Sequence, residues 1–287
     1  MRLLTGWTFD PLMATIVVAV GVLYLIGVHR LRARGDAWSG WRTFSFLGLG
    51  LGSMVLATQS SLATYDTTLL SVHMFQHMVL AMLVPVFSAL GAPVTLALRT
   101  LGRRPRSQLL AVLHSPVLRV LSFPPLAFAM FIATPWALYF TGWYDATLHH
   151  AFLHDLLHLQ FVAVGSLFFW PLVGLDPVPG RLPYMLRMLL VFATLPFHAF
   201  LGVTVMSMQQ LIGSDWYLAI DRHWGPSPIH DQDIAGAILW VSGDIIGLVV
   251  FGVLFVQWAR ESQREAVRED RRLDRLEAMA GHGVVDG

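Results

Sequence analysis

Cysteine is absent from the 287 residues, which excludes disulfides, thiolate metal sites and thiol redox chemistry. Any metal this chain binds must sit on His, Met, Asp, Glu or backbone oxygen. Lysine is absent too, so all 19 basic residues are arginine. Charge of either sign is scarce, at 13% of residues against about 25% in an average soluble domain, while 55% are apolar and the mean hydropathy is +0.61. This composition excludes a conventional soluble core and marks a membrane protein. No Gly-rich phosphate loop and no fixed-period repeat interrupts it. The arginines flank apolar runs instead of forming a patch with stacking aromatics, so nucleic acid is not an expected partner.

Seven apolar windows are long enough to cross a bilayer as helix, at approximately 11–29, 42–62, 69–90, 117–140, 151–173, 184–212 and 234–258. The expected architecture is therefore all-α: one bundle of about seven transmembrane helices over residues 1–258, then a charged cytoplasmic helix or tail over 259–287. The first window lacks a small-residue cleavage pattern and is followed by Arg30, Arg32 and Arg34, which predicts a retained span. Placing the N-terminus outside puts seventeen arginines on the cytoplasmic side and leaves only Arg2 and Arg222 opposite, so the positive-inside bias assigns N-out, C-in. Residues 93–114 mix arginine with Leu and Val, as an interfacial segment on an anionic leaflet would. In the tail, Glu261, Glu265 and Glu269 recur every four residues with Arg264 and Arg268 offset between them, predicting a solvated helix.

Histidine is distributed unevenly along this topology. His29, His114 and His282 fall on the inner side, and the other nine lie outside or at mid-membrane. His73 and His77, in the stretch HMFQHM, enter the third window from its outer end and share one helical face, with Gln76 alongside. His150, His154 and His158 form a second stripe in the fifth window, with Asp155 beside it, and His198 lies near the middle of the sixth. Converging neutral imidazoles are common ligands for Zn, Cu and Fe. Met74, Met78 and Met82 form an adjacent stripe, with Met206 and Met208 approaching the same level, and imidazole beside thioether suits copper, Cu(I) above all. Asp155, His198 and Asp244 are expected to face the bundle interior, because an intramembrane ionisable group is costly elsewhere. The acids could orient the imidazoles. Further carboxylates, Asp66, Asp145, Asp215, Asp221, Asp231 and Asp233, gather in the outer loops.

Taken singly, each of these features has a plainer account. A membrane His can be a hydrogen-bond partner between helices, and a Met stripe can be packing. Two i,i+4 histidine sets on separate spans, both biased to one leaflet, are harder to obtain that way. Trp136, Tyr139, Trp143, Tyr144, Trp216, Tyr217 and Trp224 read as an outer interfacial belt with no chemical role.

HMFQHM with LVPVFSALGAPVTL, then HDLLH, LFFWPLVGLDPVP with LPYMLR, FHAFLGV and DQDIAGAILWVSGD together resemble the polytopic, CtaG-type cytochrome c oxidase assembly factor family. The likeness covers roughly residues 65–250. It implies a bacterial plasma-membrane protein of about seven spans that matures a haem-copper oxidase through copper supply to its catalytic subunit, working with that subunit or with other assembly factors. The family's motifs fall on His73, Gln76, His77, His154, His158, His198, Asp231, Gln232 and Asp244, and Ala237 stands where a second glycine is usual. The expected metal ligands are thus His73, His77, His154, His158 and His198, with Met74, Met78 and His150 as possible additions and Gln76, Asp155, Asp231, Gln232 and Asp244 as supporting groups. No catalytic turnover is expected. Two other readings use the same histidines: a membrane di-metal oxidoreductase, disfavoured by the outward-facing His sets, and non-covalent haem in an electron-transfer protein. Copper transport across the bilayer is disfavoured because polar groups thin out toward the inner half.

Overall fold

The computed structural model describes residues 6–220 and 222–283, with side chains as far as residue 273. Arg2 and Asp221 lie outside the described residues, as do the side chains of Arg275 and His282. Every regular element among the described residues is helical. In chain order these are α1 (Pro11–Ala33), α2 (Gly40–Tyr65), α3 (Leu70–Leu90), α4 (Pro93–Thr100), α5 (Arg103–Leu113), α6 (Pro116–Leu121), α7 (Pro124–Phe140), α8 (Trp143–His149), α9 (Ala151–Val173), α10 (Tyr184–Ser207), α11 (Ser214–Ala219) and α12 (Pro228–Gly283). Helices α1, α2, α3, α9, α10 and α12 are each long and apolar enough to cross a membrane, and the bent pair α7–α8 raises the number to as many as seven.

Three boundaries differ from expectation, each for a local reason. The fourth window does not run as one helix from 117: Phe123 precedes Pro124 and is extended (ψ 119°), so α6 stops and α7 starts afresh, only 17 residues long. After Phe140 the chain bends by 69° into α8, where the Thr141 hydroxyl accepts from Trp143 N. The sixth window ends at Ser207, because Met208 is extended. The seventh begins early, at Pro228, since Ser227 caps it: Asp231 N donates to the Ser227 carbonyl at 2.8 Å, with proline in the first turn. His230, Asp231 and Gln232 are thereby helical. From there α12 continues without a break past residue 258 into the charged extension, where Arg264–Glu261 and Arg272–Glu269 pair one turn apart in solvent.

Helix α3 is the centre of the bundle: 78% of its most apolar window is buried, against 28–50% for the other spans. Among the described residues two stretches of π-helix occur, Ser45–Leu51 in α2 and Val79–Leu83 in α3. The second has an evident cause. Pro85 carries no N–H, so the Ala81 carbonyl loses its helical partner and the turn widens. That carbonyl is turned toward Gly165 of α9, which packs along the inner part of α3. Helices α3 and α9 therefore start at the same level and run in the same direction, and α7 makes the return crossing between them.

At the opposite end the stretch expected at the interface folds as the two short helices α4 and α5. Arg103, Arg104 and Arg106 are exposed, while Leu96 and Thr100 face inward. Asp176, beyond the end of α9, holds the start of α4 by accepting from Val94 N at 3.2 Å and from Thr95 N at 2.7 Å, and it also receives the Trp170 indole N–H at 2.9 Å.

Candidate metal centre

Asp66 lies in the turn between α2 and α3, and α3 begins at Leu70 where Ser71 is tied down by Asp231 of α12 through both its backbone N–H and its hydroxyl. One turn further, His73 and His77 follow at i and i+4 on the buried face of α3. Helix α9 starts at the same level and presents His154 and His158 in its first two turns. All four imidazoles are buried, His73 completely. The ring centroids lie close together: His73–His77 3.8 Å, His154–His158 4.5 Å, His73–His154 5.3 Å and His77–His158 5.9 Å.

Ligand-capable atoms converge in two overlapping groups. One atom each from His73, His77 and His154 lie within 4.8 Å of one another, and so do atoms of Asp66, His154 and His158, with His154 common to both. Five ring nitrogens here are buried without a hydrogen-bond partner: both of His73, Nε2 of His77, Nε2 of His154 and Nδ1 of His158. Each unsatisfied buried polar atom costs about 1–3 kcal/mol, so so dense a group of bare nitrogens is an expensive way to fill a core. Two of the remaining three nitrogens are held. His158 Nε2 meets Gln76 Oε1 at 3.2 Å, and His77 Nδ1 meets the Tyr139 hydroxyl at 3.1 Å. Gln76 in turn donates to the Ala57 carbonyl at 2.9 Å and to Asp66 at 3.1 Å. Such fixed orientation of ring nitrogens is how partner groups prepare an imidazole for a metal.

Asp66 is the carboxylate of the centre, 3.8 Å from His154 Nε2. Burial pushes its pKa up to about 7, against the opposing hydrogen bond from Gln76. Sequence reasoning placed Asp66 only among the outer-loop acids, although it stands seven residues before His73 at the mouth of the same helix. Three tyrosines expected in an interfacial belt with no chemical role are buried in the protein instead: Tyr139 meets His77, Tyr144 packs edge-on to His73 at 4.8 Å, and Tyr217 joins Tyr144 through a 2.6 Å hydrogen bond. Spacing could not separate them from Trp224, which is exposed.

The other expected residues are distributed more widely. His150 is exposed at the start of α9. Asp155 is half-buried and faces Asp10. Gln232 accepts from Ile212 N at 2.7 Å and so braces the α10–α11 connection. Asp244 accepts from Trp240 of its own helix at 2.8 Å, and Asp231 reaches the centre only through Ser71. His198 lies on α10 beyond the four-histidine group, while Met74 and Met78 are buried next to His77.

The chain aligns with uncharacterised proteins of Mycobacterium leprae (38% identity over 281 residues) and of Mycobacterium bovis and Mycobacterium tuberculosis (40% over 280 residues each). These alignments cover 95–96% of this chain but 42% of each relative, so the chain spans about two fifths of their length. No solved structure matches it. The family model for the cytochrome c oxidase caa3 assembly factor matches residues 22–261, a stretch that contains α2 to α10 whole and every histidine of the centre, and this chain belongs to that family.

Proposed function

We propose that the protein binds copper at the outer end of the bundle, through His73, His77, His154 and His158 with Asp66 beside them, and helps insert it into the catalytic subunit of a haem-copper oxidase in the bacterial plasma membrane. Copper is cargo in this reading, and no substrate is turned over. The observation that carries it is the group of five partnerless ring nitrogens on four buried imidazoles drawn from two helices. Neutral imidazole suits copper, and the lack of cysteine leaves no thiolate to make the binding too tight for release. Haem is the weaker candidate because the rings touch one another and the adjoining cavity is only about 20 Å³, far too small for a porphyrin.

The test is the metal content of the detergent-purified protein after exposure to Cu(I), wild type beside His73→Ala/His77→Ala, together with the copper content of the oxidase in strains carrying each. Stoichiometric copper in the wild type, lost in the variant along with copper loading of the oxidase, is the expected result. Fully loaded oxidase in the variant strain would sink the delivery role, and a Soret band on the wild type would transfer the histidines to haem.

A further inference from the structure

Immediately beyond His77 the bundle encloses a cavity of about 20 Å³, with Met74, Met78, Met82, Tyr139 and, from α10, His198 among its walls alongside His77. A void of that size admits one water-sized body. Met74, Met78 and Met82 are all more than nine-tenths buried, as are His77 and His198. Thioethers alone are ordinary gap fillers, but packing does not call for two imidazoles on the wall of the same void. His77 carries there a buried nitrogen with no hydrogen-bond partner, Nε2, while the His198 ring has the Thr194 backbone one turn back as a neighbour of its Nδ1. The ring is held in place from behind. Gly243 of α12 faces it so closely that a β-carbon there would stand 2.7 Å from Cγ.

Two features connect this cavity to the outer centre. His77 belongs to both, grouped with His73 and His154 on one side and forming cavity wall on the other. The π-helical stretch Val79–Leu83 begins two residues after His77 and contains Met82, so the local register that brings Met82 to the cavity is a specific departure from α-helix. π-bulges of this kind are frequent at functional sites.

We propose that this cavity is a second metal station, a thioether-rich site for Cu(I) formed by Met74, Met78, Met82 and His198, which shares His77 with the outer centre. The proposal rests on the reading that the outer centre carries copper, and deepens it by naming the form in which the ion travels. Imidazole and carboxylate accept copper in either oxidation state, whereas thioether selects the monovalent ion. A chain with an imidazole–carboxylate mouth and a thioether chamber behind it therefore passes only Cu(I) inward. The ion exchanges ligands around one shared ring, with no change of oxidation state and no proton to place.

The test is anaerobic titration of the purified full chain with Cu(I), read by copper stoichiometry and by X-ray absorption for sulfur ligation. Wild type should hold two equivalents with sulfur scattering present. Met74→Leu/Met78→Leu/Met82→Leu, which conserves volume, should lose one equivalent and the sulfur signal, and His73→Ala/His154→Ala should keep a sulfur-ligated ion. Copper bound by the wild type without sulfur scattering, or sulfur scattering that survives in the leucine variant, overturns the second station and leaves the outer centre standing. A single sulfur-ligated ion, indifferent to the loss of His73 and His154, overturns the outer centre instead, and no copper at all overturns both. The sulfur signal is read on the wild type, so a leucine variant that fails to fold does not remove the test.

Discussion

The carbonyl oxygen of Ala81 on α3 faces Gly165 on α9 at so short a distance that a β-carbon at position 165 would lie 2.1 Å from it. Pro85 frees that carbonyl, and glycine receives it, so one missing N–H and one missing side chain together set the spacing of the two histidine-bearing helices. Gly165→Ala should therefore lower stability despite the ~1 kcal/mol that alanine normally gains in a helix. Overpacking of this kind typically costs about 1–3 kcal/mol, and here it also separates His73 and His77 from His154 and His158. A lower thermal midpoint together with weakened metal binding is expected. An unchanged midpoint would mean the helices can separate freely.

Gln76 is hydrogen-bonded to both an imidazole and the carboxylate of the centre. Gln76→Leu keeps the bulk and removes both contacts. Loss of such an orienting partner typically costs 10–100-fold in metal affinity, and a competition titration with a Cu(I) chelator should show a loss of about that size with stoichiometry preserved.

Asp66, with its pKa raised from 3.8 to about 7, gives the metal-free protein a pH-dependent stability. Between about pH 4 and pH 7 the folded chain keeps a proton that the unfolded chain has released, so stability is greatest below this window, falls as pH rises through it, and levels off above. The difference in thermal midpoint between the metal-free wild type and Asp66→Asn, which isolates this carboxyl from the other titrating groups, should follow that course.

Asp176 caps α4 and anchors it to the end of α9. Asp176→Ala should cost about 1–2 kcal/mol, as loss of an N-cap does, and should loosen α4 and α5 as measured by proteolysis near Arg103 and Arg104. Copper stoichiometry should be unchanged, because the cap lies at the far end of the bundle from the histidines.

Helix number and the histidine faces were legible because both follow from period and length: about twenty apolar residues make a span, and i,i+4 residues share a face. His73 with His77 and His154 with His158 were found on that basis. The partners were less legible. Asp66 comes from a turn, where no period applies, and Tyr144 and Tyr217 look like any aromatic near a span end until α8 folds back over the cluster. Asp155 carried the same local signal as His154 and His158, yet one residue of helical rotation turns it toward Asp10. The π turn at Val79–Leu83 was hidden because its cause, Pro85, reads in sequence as an ordinary kink. The motif Leu-Asp-Pro carried a structural role instead of a chemical one, in the cap supplied by Asp176.

Helix α12 runs unbroken for 56 residues, on the order of 80 Å at ~1.5 Å per residue, against a hydrocarbon layer of ~30 Å. No proline or hinge interrupts it after its first turn. Near one end Asp231 grips Ser71, two residues from His73, and the other end stands clear of the bundle with its charges in solvent. A rod of this kind behaves as a lever. A tilt applied to its charged end cannot be absorbed along the way, and it arrives at the turn that carries the first histidine.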